Sequence, residues 1–317
     1  MYEKSVLIVK KENEKERLDK FLLRSFKNIS FAKLQKLIRK GYIKVNSKKK
    51  KSSYKIQTND KVLLSVDLNI KKAEVDEFKE MYKKEIELLK KKIIFEDKNI
   101  LVLNKPHGIP VQGGTKIKFN IDLILKHITN DNSETPKLVH RIDKNTSGLL
   151  IVAKSKDIAN KLSILFKTNK ICKTYLSICK GIPDRMQGKI KLALEKNKIN
   201  GREIMVVDNN KKSKPSETIY KVIKSNNNLS FLMLKPKTGR THQIRVHLKE
   251  IGIPILGDQK YSISKPNKNN RDRTRTMHLH SRSISFYLEE KKYNFKAELP
   301  DYFIRTLKEN QFKIEKY

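Results

Sequence analysis

Apolar and polar positions change rhythm twice along the chain, and the changes predict where its parts begin. Ser5 to Val9 reads as a short strand. Arg17-Leu18-Asp19-Lys20-Phe21-Leu22-Leu23, continued by Phe26, then places apolar residues at helical spacing. A second helix is predicted over Phe31 to Arg39, with Leu34, Leu37 and Ile38 on one stripe, Ser30 as its N-cap and Gly41 ending it. Tyr42-Ile43-Lys44-Val45-Asn46 and Asp60-Lys61-Val62-Leu63-Leu64 alternate as strands do, on either side of a lysine-rich turn, Ser47 to Ser53. Residues 1–68 are therefore expected to form a small N-terminal α/β module.

Residues 69–92 read as a Lys- and Glu-rich linker ending in an amphipathic helix, because Val75, Phe78, Tyr82, Ile86 and Leu89 recur at three- and four-residue steps. From Ile93 the texture is that of strands: Ile93 to Glu96, Ile100 to Leu103, Leu149 to Ala153, Tyr175 to Cys179, Phe231 to Leu234 and Ser283 to Tyr287. Helices are fewer, over Ile121 to Ile128, Ile158 to Lys167 and Gln243 to Glu250. Residues 93–317 are thus expected to be an α+β domain with a large, mainly antiparallel sheet. Asn209 to Ser216 and Ser262 to Thr276 lack periodicity and are expected to be surface loops.

Charge narrows the partner. The 317 residues include 72 Lys+Arg against 34 Asp+Glu, a formal charge of +38, which a compact chain tolerates best beside a polyanion. An AT-rich coding bias would also raise lysine, and an anionic membrane surface would feel the same field, so charge alone leaves these readings open. On the N-terminal module, Arg17, Lys20, Lys33, Lys36, Arg39, Lys40 and Lys44 crowd the polar faces at a density suited to phosphate contacts. Cys172 and Cys179 are too few for a disulfide framework and lack CxxC spacing, and the histidines have no carboxylate or cysteine at ligand spacing. No metal is expected. No apolar run approaches the ~18 residues of a membrane span, so a soluble, cytoplasmic protein is expected.

Two polar clusters carry candidate chemistry. Leu138-Val139-His140-Arg141-Ile142-Asp143-Lys144-Asn145-Thr146-Ser147-Gly148-Leu149-Leu150 brackets a charged loop between apolar runs. Thr238-Gly239-Arg240-Thr241-His242-Gln243-Ile244-Arg245-Val246-His247 precedes and opens a helix, with Gly239 expected to supply the tight turn and Arg240 and Arg245 fixed positive charge. A carboxylate facing an arginine can be an oriented nucleophile or a structural ion pair. Asp143 can equally be a turn residue. The residues alone leave these alternatives open.

Resemblance adds to this reading. The Arg-Leu-Asp-Lys-Phe-Leu helix and the Gly-Tyr-Ile-Lys-Val-Asn turn-and-strand resemble the S-four-like RNA-binding domain. His140-Arg141-Ile142-Asp143-x-x-Thr146-Ser147-Gly148-Leu149-Leu150 resembles the signature of the RluA-type pseudouridine synthases, with Ile142 where that family usually has Leu. Leu103-Asn104-Lys105-Pro106-x-Gly108-Ile109-Pro110, Lys173-Thr174-Tyr175, Thr238 to His247, Gly252-x-Pro254-Ile255-x-Gly257-Asp258 and Leu279-His280 follow in that family's order. The resemblance implies a mixed-sheet pseudouridine synthase fold and a reaction without cofactor or metal. Asp143 attacks the target nucleotide, the glycosidic bond breaks, and the uracil turns, rejoins through C5 and loses the C5 proton.

By matching position, the resemblance also implies that Tyr175 lies against the uracil, that Arg245 pairs with Asp143, and that Arg141 helps displace or replace the flipped nucleotide. Thr146, Arg240, His140 and His242 fall on the substrate side, the two histidines as loop-orienting hydrogen bonders. The appended RNA-binding domain points to large-subunit ribosomal RNA as the partner, with no protein partner expected. Val111-Gln112-Gly113-Gly114 and Lys214-Pro215-Ser216-Glu217-Thr218 are similar to the RluC branch, which acts around the peptidyl-transferase centre. The RluD branch, acting on another helix of that RNA, is the nearest alternative, and a non-catalytic RNA-binding or ribosome-assembly factor is the rival from another class.

Overall fold

The computed structural model describes residues 5–26, 29–66, 80–113, 119–128, 134–199, 202–208, 210, 213–262 and 276–312. The chain divides into two compact units, Met1–Lys83 and Lys84–Tyr317.

In the first unit, β1 (Ser5–Ile8), β2 (Ile43–Val45) and β3 (Lys61–Leu64) form an antiparallel sheet in the order β1-β3-β2, with α1 (Leu18–Ser25) and α2 (Phe31–Lys40). Its core joins Leu18, Phe21 and Leu22 of α1 and Leu34 and Ile38 of α2 to Ile43, Val45, Val62 and Leu64 of the sheet. Helix α2 starts and stops as its sequence predicts: the Ser30 hydroxyl accepts from the Lys33 amide, and Gly41 takes the left-handed conformation at φ 82°. Lys20, Lys33, Lys36, Arg39, Lys40 and Lys44 are exposed. Arg17 is engaged within the unit, its Nε and Nη2 donating to buried Asp19 at 3.1 and 2.8 Å.

Helix α3 (Lys83–Lys90) opens on the last residue of the first unit and continues into the second; its buried Ile86 and Leu89 belong to the expected amphipathic stripe, and Val75 and Phe78 lie outside the described residues. An 11-stranded sheet follows. It comprises β4 (Ile93–Glu96), β5 (Ile100–Lys105), β6 (Lys137–Leu138), β7 (Ser147–Ala153), β8 (Cys172–Lys180), β9 (Gln187–Ile199), β10 (Arg202–Val207), β11 (Lys214–Ser225), β12 (Leu229–Pro236), β13 (Leu279–Leu288) and β14 (Lys291–Lys296). The main path is β10-β9-β11-β12-β8-β13-β7-β5-β4, with β14 on β13 and β6 on β7. Every pairing is antiparallel except β13 with β7. This is the expected mainly antiparallel, mixed-sheet α+β architecture.

Alternation along β8 assigns the layers. Leu176 and Ile178 face Phe303 and Leu307 of α7 (Asp301–Glu309), while Tyr175 and Cys179 pack with Ile244 and Leu248 of α6 (Gln243–Glu250). Ile100, Val102, Leu149 and Ile151 pack with Ile158 and Leu162 of α5 (Lys156–Lys167), and α4 (Ile121–Ile128) contributes buried Ile124 and Leu125.

Asn209 to Ser216 is not wholly a loop. Strand β11 already begins at Lys214, pairing Lys214, Pro215 and Ser216 with Leu194, Ala193 and Leu192 of β9. Pairing with β12 starts only at Thr218, so Pro215 sits where one strand side is an edge and its missing N–H breaks no ladder. Of the second expected loop, residues 263–275 lie outside the described residues. Helix α7 was not anticipated from the periodicity.

Candidate active site

Asp143 sits on the loop between β6 and β7, and close strand packing anchors that loop. Gly148, at φ +102°, pairs with Ser281 where β7 runs parallel to β13; a Cβ there would collide with the Ser281 backbone. Thr146, buried, donates its amide to the Asp143 carbonyl at 3.1 Å and closes the turn. Below the loop, the fully buried Lys105 ammonium donates to the carbonyls of Pro106, Ile109 and Lys144 at 2.8, 2.9 and 3.1 Å. Burial lowers its pKa to about 7, against the opposing charge of Asp143.

Helix α6 brings the facing cation. Arg245 Nη1 donates to Asp143 Oδ2 at 2.9 Å, while its Nε and Nη2 make a bidentate pair with Asp258 at 2.7 and 2.8 Å. The Tyr261 ring lies under this guanidinium, 4.9 Å away. Burial opposes the Arg245 charge, yet the bonds and charge of Asp258, then Asp143, hold its pKa above the usual arginine value. A second arm closes the ring: Tyr261 OH pairs with His242 Nδ1 at 2.7 Å and accepts from the Met205 amide, and His242 Nε2 lies 3.8 Å from Asp143 Oδ2. Asp258 and Tyr261 thus fix the angle at which Arg245 and His242 meet the carboxylate.

The turn ahead of α6 differs from expectation. Its left-handed residue is His242, at φ 53°, and not Gly239, whose φ is not positive. Thr238 Oγ1 and the Arg240 amide both donate to Gln243 Oε1, and Gln243 Nε2 donates to the Glu217 carbonyl, so buried Gln243 holds the turn to β11.

A pocket of about 490 Å³ opens over these groups, lined by Asp143, Tyr175 and Arg245 and by His140, Arg141, Thr146, Arg240 and His242, all eight of the residues expected at the site. Tyr175 is half-buried on β8, its phenol pushed up to about 12 by burial. It therefore stays neutral near pH 7 and offers a ring face more readily than a base. Arg141 and Arg240 are exposed at the rim, tethered by Arg141 Nη2 to Thr241 Oγ1 at 3.3 Å and by Arg240 Nε to the Pro215 carbonyl at 3.2 Å. His140 is committed to the scaffold: its Nε2 accepts from the Ile151 amide at 2.8 Å and its ring stacks on Phe166 at 4.4 Å.

Comparison with known proteins decides what this pocket belongs to. The model of the RNA pseudouridylate synthase family matches residues 99–250, and that of the S4 domain residues 16–62. A Rickettsia conorii protein named ribosomal large subunit pseudouridine synthase C is 37% identical over 302 residues, covering 92% of this chain and 96% of its own. The chain belongs to the RNA pseudouridylate synthase family. A Buchnera aphidicola relative of the same name is 33% identical, with 96% of each chain covered. Among solved structures, human RNA pseudouridylate synthase domain containing 4 superposes with a TM-score of 0.62 at 28% identity, over 73% of this chain and 97% of its own. This pseudouridine synthase is thus an isomerase acting on RNA, with an S4 domain at its N-terminal end. Among the described residues no helix is long and apolar enough to cross a membrane.

Sequence reasoning quoted Lys105 and Asp258 only as motif letters and missed Tyr261. The signal for Asp258 was a second acidic residue within reach of the same arginine, but the rest of α6 and the turn after it separate the two in sequence and hide the pairing.

Several buried rings make the synthase acid-sensitive. Burial lowers His140 to about 3 and His242, His247 and His280 to about 4, whereas an unfolded histidine titrates near about 6.5. Their folded pKa values are depressed, so the stability contributed by the neutral rings is full above about pH 6.5 and is lost as pH falls toward 4. The urea midpoint is expected to drop steadily from pH 7 to pH 4.5. A flat midpoint over that interval would contradict the buried, neutral assignment.

Proposed function

We propose that this synthase isomerises specific uridines of large-subunit ribosomal RNA, as its relatives' names describe for them, with Asp143 as the nucleophile. The observation that carries the chemical part is the Asp143–Arg245 pair in a pocket of about 490 Å³ that Tyr175 also lines. Asp143 attacks the flipped target nucleotide through one carboxylate oxygen, the bond from N1 to C1′ breaks, and the freed uracil turns within the pocket. A bond from C5 to C1′ then forms, the bond from Asp143 to the nucleotide breaks and returns the carboxylate, the C5 proton leaves and N1 regains one. Atoms and electrons balance without oxidant or reductant. Arg245, clamped by Asp258, keeps the carboxylate aimed; Tyr175 supports the ring; Arg141 and Arg240 at the rim meet the displaced strand.

The choice of RNA rests on the S4 domain, on the relatives' names, and on Val111 to Gly114 and Lys214 to Thr218, which are similar to the RluC branch acting near the peptidyl-transferase centre. Release of tritium from C5-labelled transcripts tests it, because forming the C5–C1′ bond expels that hydrogen. Large-subunit RNA is expected to release label, and small-subunit RNA and transfer RNA are not; equal release from all three would defeat the assignment.

Arg17, Lys20, Lys33, Lys36, Arg39, Lys40 and Lys44 are assigned to RNA phosphates, Arg17 with its exposed guanidinium also bound to Asp19 of α1. Deleting residues 1–68 should weaken RNA binding and flatten the plot of log affinity against log salt by roughly 0.7 to 0.9 per lost phosphate contact. An unchanged slope in filter-binding titrations would remove the S4 domain as the RNA handle.

A further inference from the structure

Two lysines that line the pocket have no task in the chemistry above, exposed Lys167 and half-buried Lys173. Lys173 lies on β8 two residues before Tyr175, so both side chains leave the same face of the strand, about 6.5 Å apart along it. Both line the pocket. Its ammonium is half-buried, and burial alone lowers its pKa, with no carboxylate acting to raise it. Among the described residues the Lys173 ammonium forms no ion pair or hydrogen bond, whereas the neighbouring Arg245 guanidinium has two carboxylates. A partly desolvated ammonium without a counter-ion costs free energy. An arriving anion would recover that cost.

The opposite wall keeps the space beside this ammonium clear. Gly239 has no positive φ, and a Cβ there would lie 3.9 Å from Lys173 Nζ, so that a longer side chain would cover it. The bare backbone at position 239 thus leaves the Lys173 ammonium open to the pocket on that side.

We infer that Lys173 and the open backbone at Gly239 form a phosphodiester subsite, which seats a phosphate flanking the target nucleotide while Tyr175 holds its base. This rests on reading the pocket as the uridine site. The spacing suits it, since one sugar separates a base from its phosphate much as one residue step separates Tyr175 from Lys173 on their shared face. The subsite fixes how far the flipped nucleotide enters, leaving the uracil free to turn about a sugar held at its phosphate end.

The test pairs protein and RNA changes. Short RNAs carrying the mapped target uridine are made with the phosphate on its 5′ or its 3′ side replaced by a neutral methylphosphonate. For the wild-type enzyme, kcat/KM is expected to fall about tenfold or more at one of these positions, as for a lost hydrogen bond to a charged group. K173M should show a similar loss on native RNA and no further loss on that methylphosphonate RNA. G239V should behave like K173M, and K173R should remain sensitive to the replacement. Multiplicative effects of K173M and methylphosphonate at both positions, or native activity in K173M, would overturn the subsite. Failure of the wild-type enzyme to convert the native RNA would instead overturn the substrate assignment.

Discussion

Asp143→Asn is expected to lower the single-turnover rate of pseudouridine formation by at least about a thousandfold, on the order seen when a catalytic nucleophile is removed, with RNA affinity nearly unchanged. The amide is nearly isosteric and can still accept from Arg245 Nη1, so the 2.9 Å contact and the loop geometry can persist. What the amide lacks is an anionic oxygen to attack the nucleotide. On the proposed reading RNA affinity rests on the cations assigned to phosphates, none of which this change removes. A rate near wild type would mean that the Asp143–Arg245 pair is structural, the alternative that the residues by themselves left open.

Arg245→Met carries the second large effect, on stability as well as rate. The Asp258 carboxylate is almost wholly buried, at 1% exposure, and Arg245 supplies its bidentate partner. Removing one member of a buried pair strands the other, which typically costs about 3–5 kcal/mol. Chemical denaturation should report a loss of that size, and pseudouridine formation should fall because Asp143 loses its aim. R245M/D258L removes the stranded charge together with its partner and should regain much of the lost stability without regaining activity. If the double variant recovers both, Arg245 serves only the fold; if R245M is as stable as wild type, the network is not what the distances indicate.

Much of this was legible in the residues. Helix α2 could be bounded from Ser30 and Gly41 because each cap acts on its own few neighbours. Six strands of the catalytic domain showed as short apolar runs, such as Ile100 to Leu103 and Leu149 to Ala153, both buried on two faces, whereas the more polar β9, β10 and β14 did not show. The start of β11 did not show: Lys214, Pro215 and Ser216 look like loop residues, and only the distant Leu192 to Leu194 make them a strand. The same distinction holds at the site. Asp143 and Arg245 stood out by motif and charge, but the partners that orient them, Lys105, Asp258 and Tyr261, act through contacts made only in the folded chain. Gly239 looked like the hinge of a turn; His242, whose Nδ1 pairs with Tyr261 OH, takes the left-handed conformation instead.

The central claim is that Asp143 converts uridines of large-subunit ribosomal RNA, and base-resolution chemical mapping of pseudouridine in that RNA tests it most directly. Cells lacking this gene, complemented with the wild-type chain or with Asp143→Asn, would be compared. A small set of sites near the peptidyl-transferase centre should be absent from the deletion, present with the wild-type chain and absent with Asp143→Asn. An identical pseudouridine pattern in all three would contradict the account.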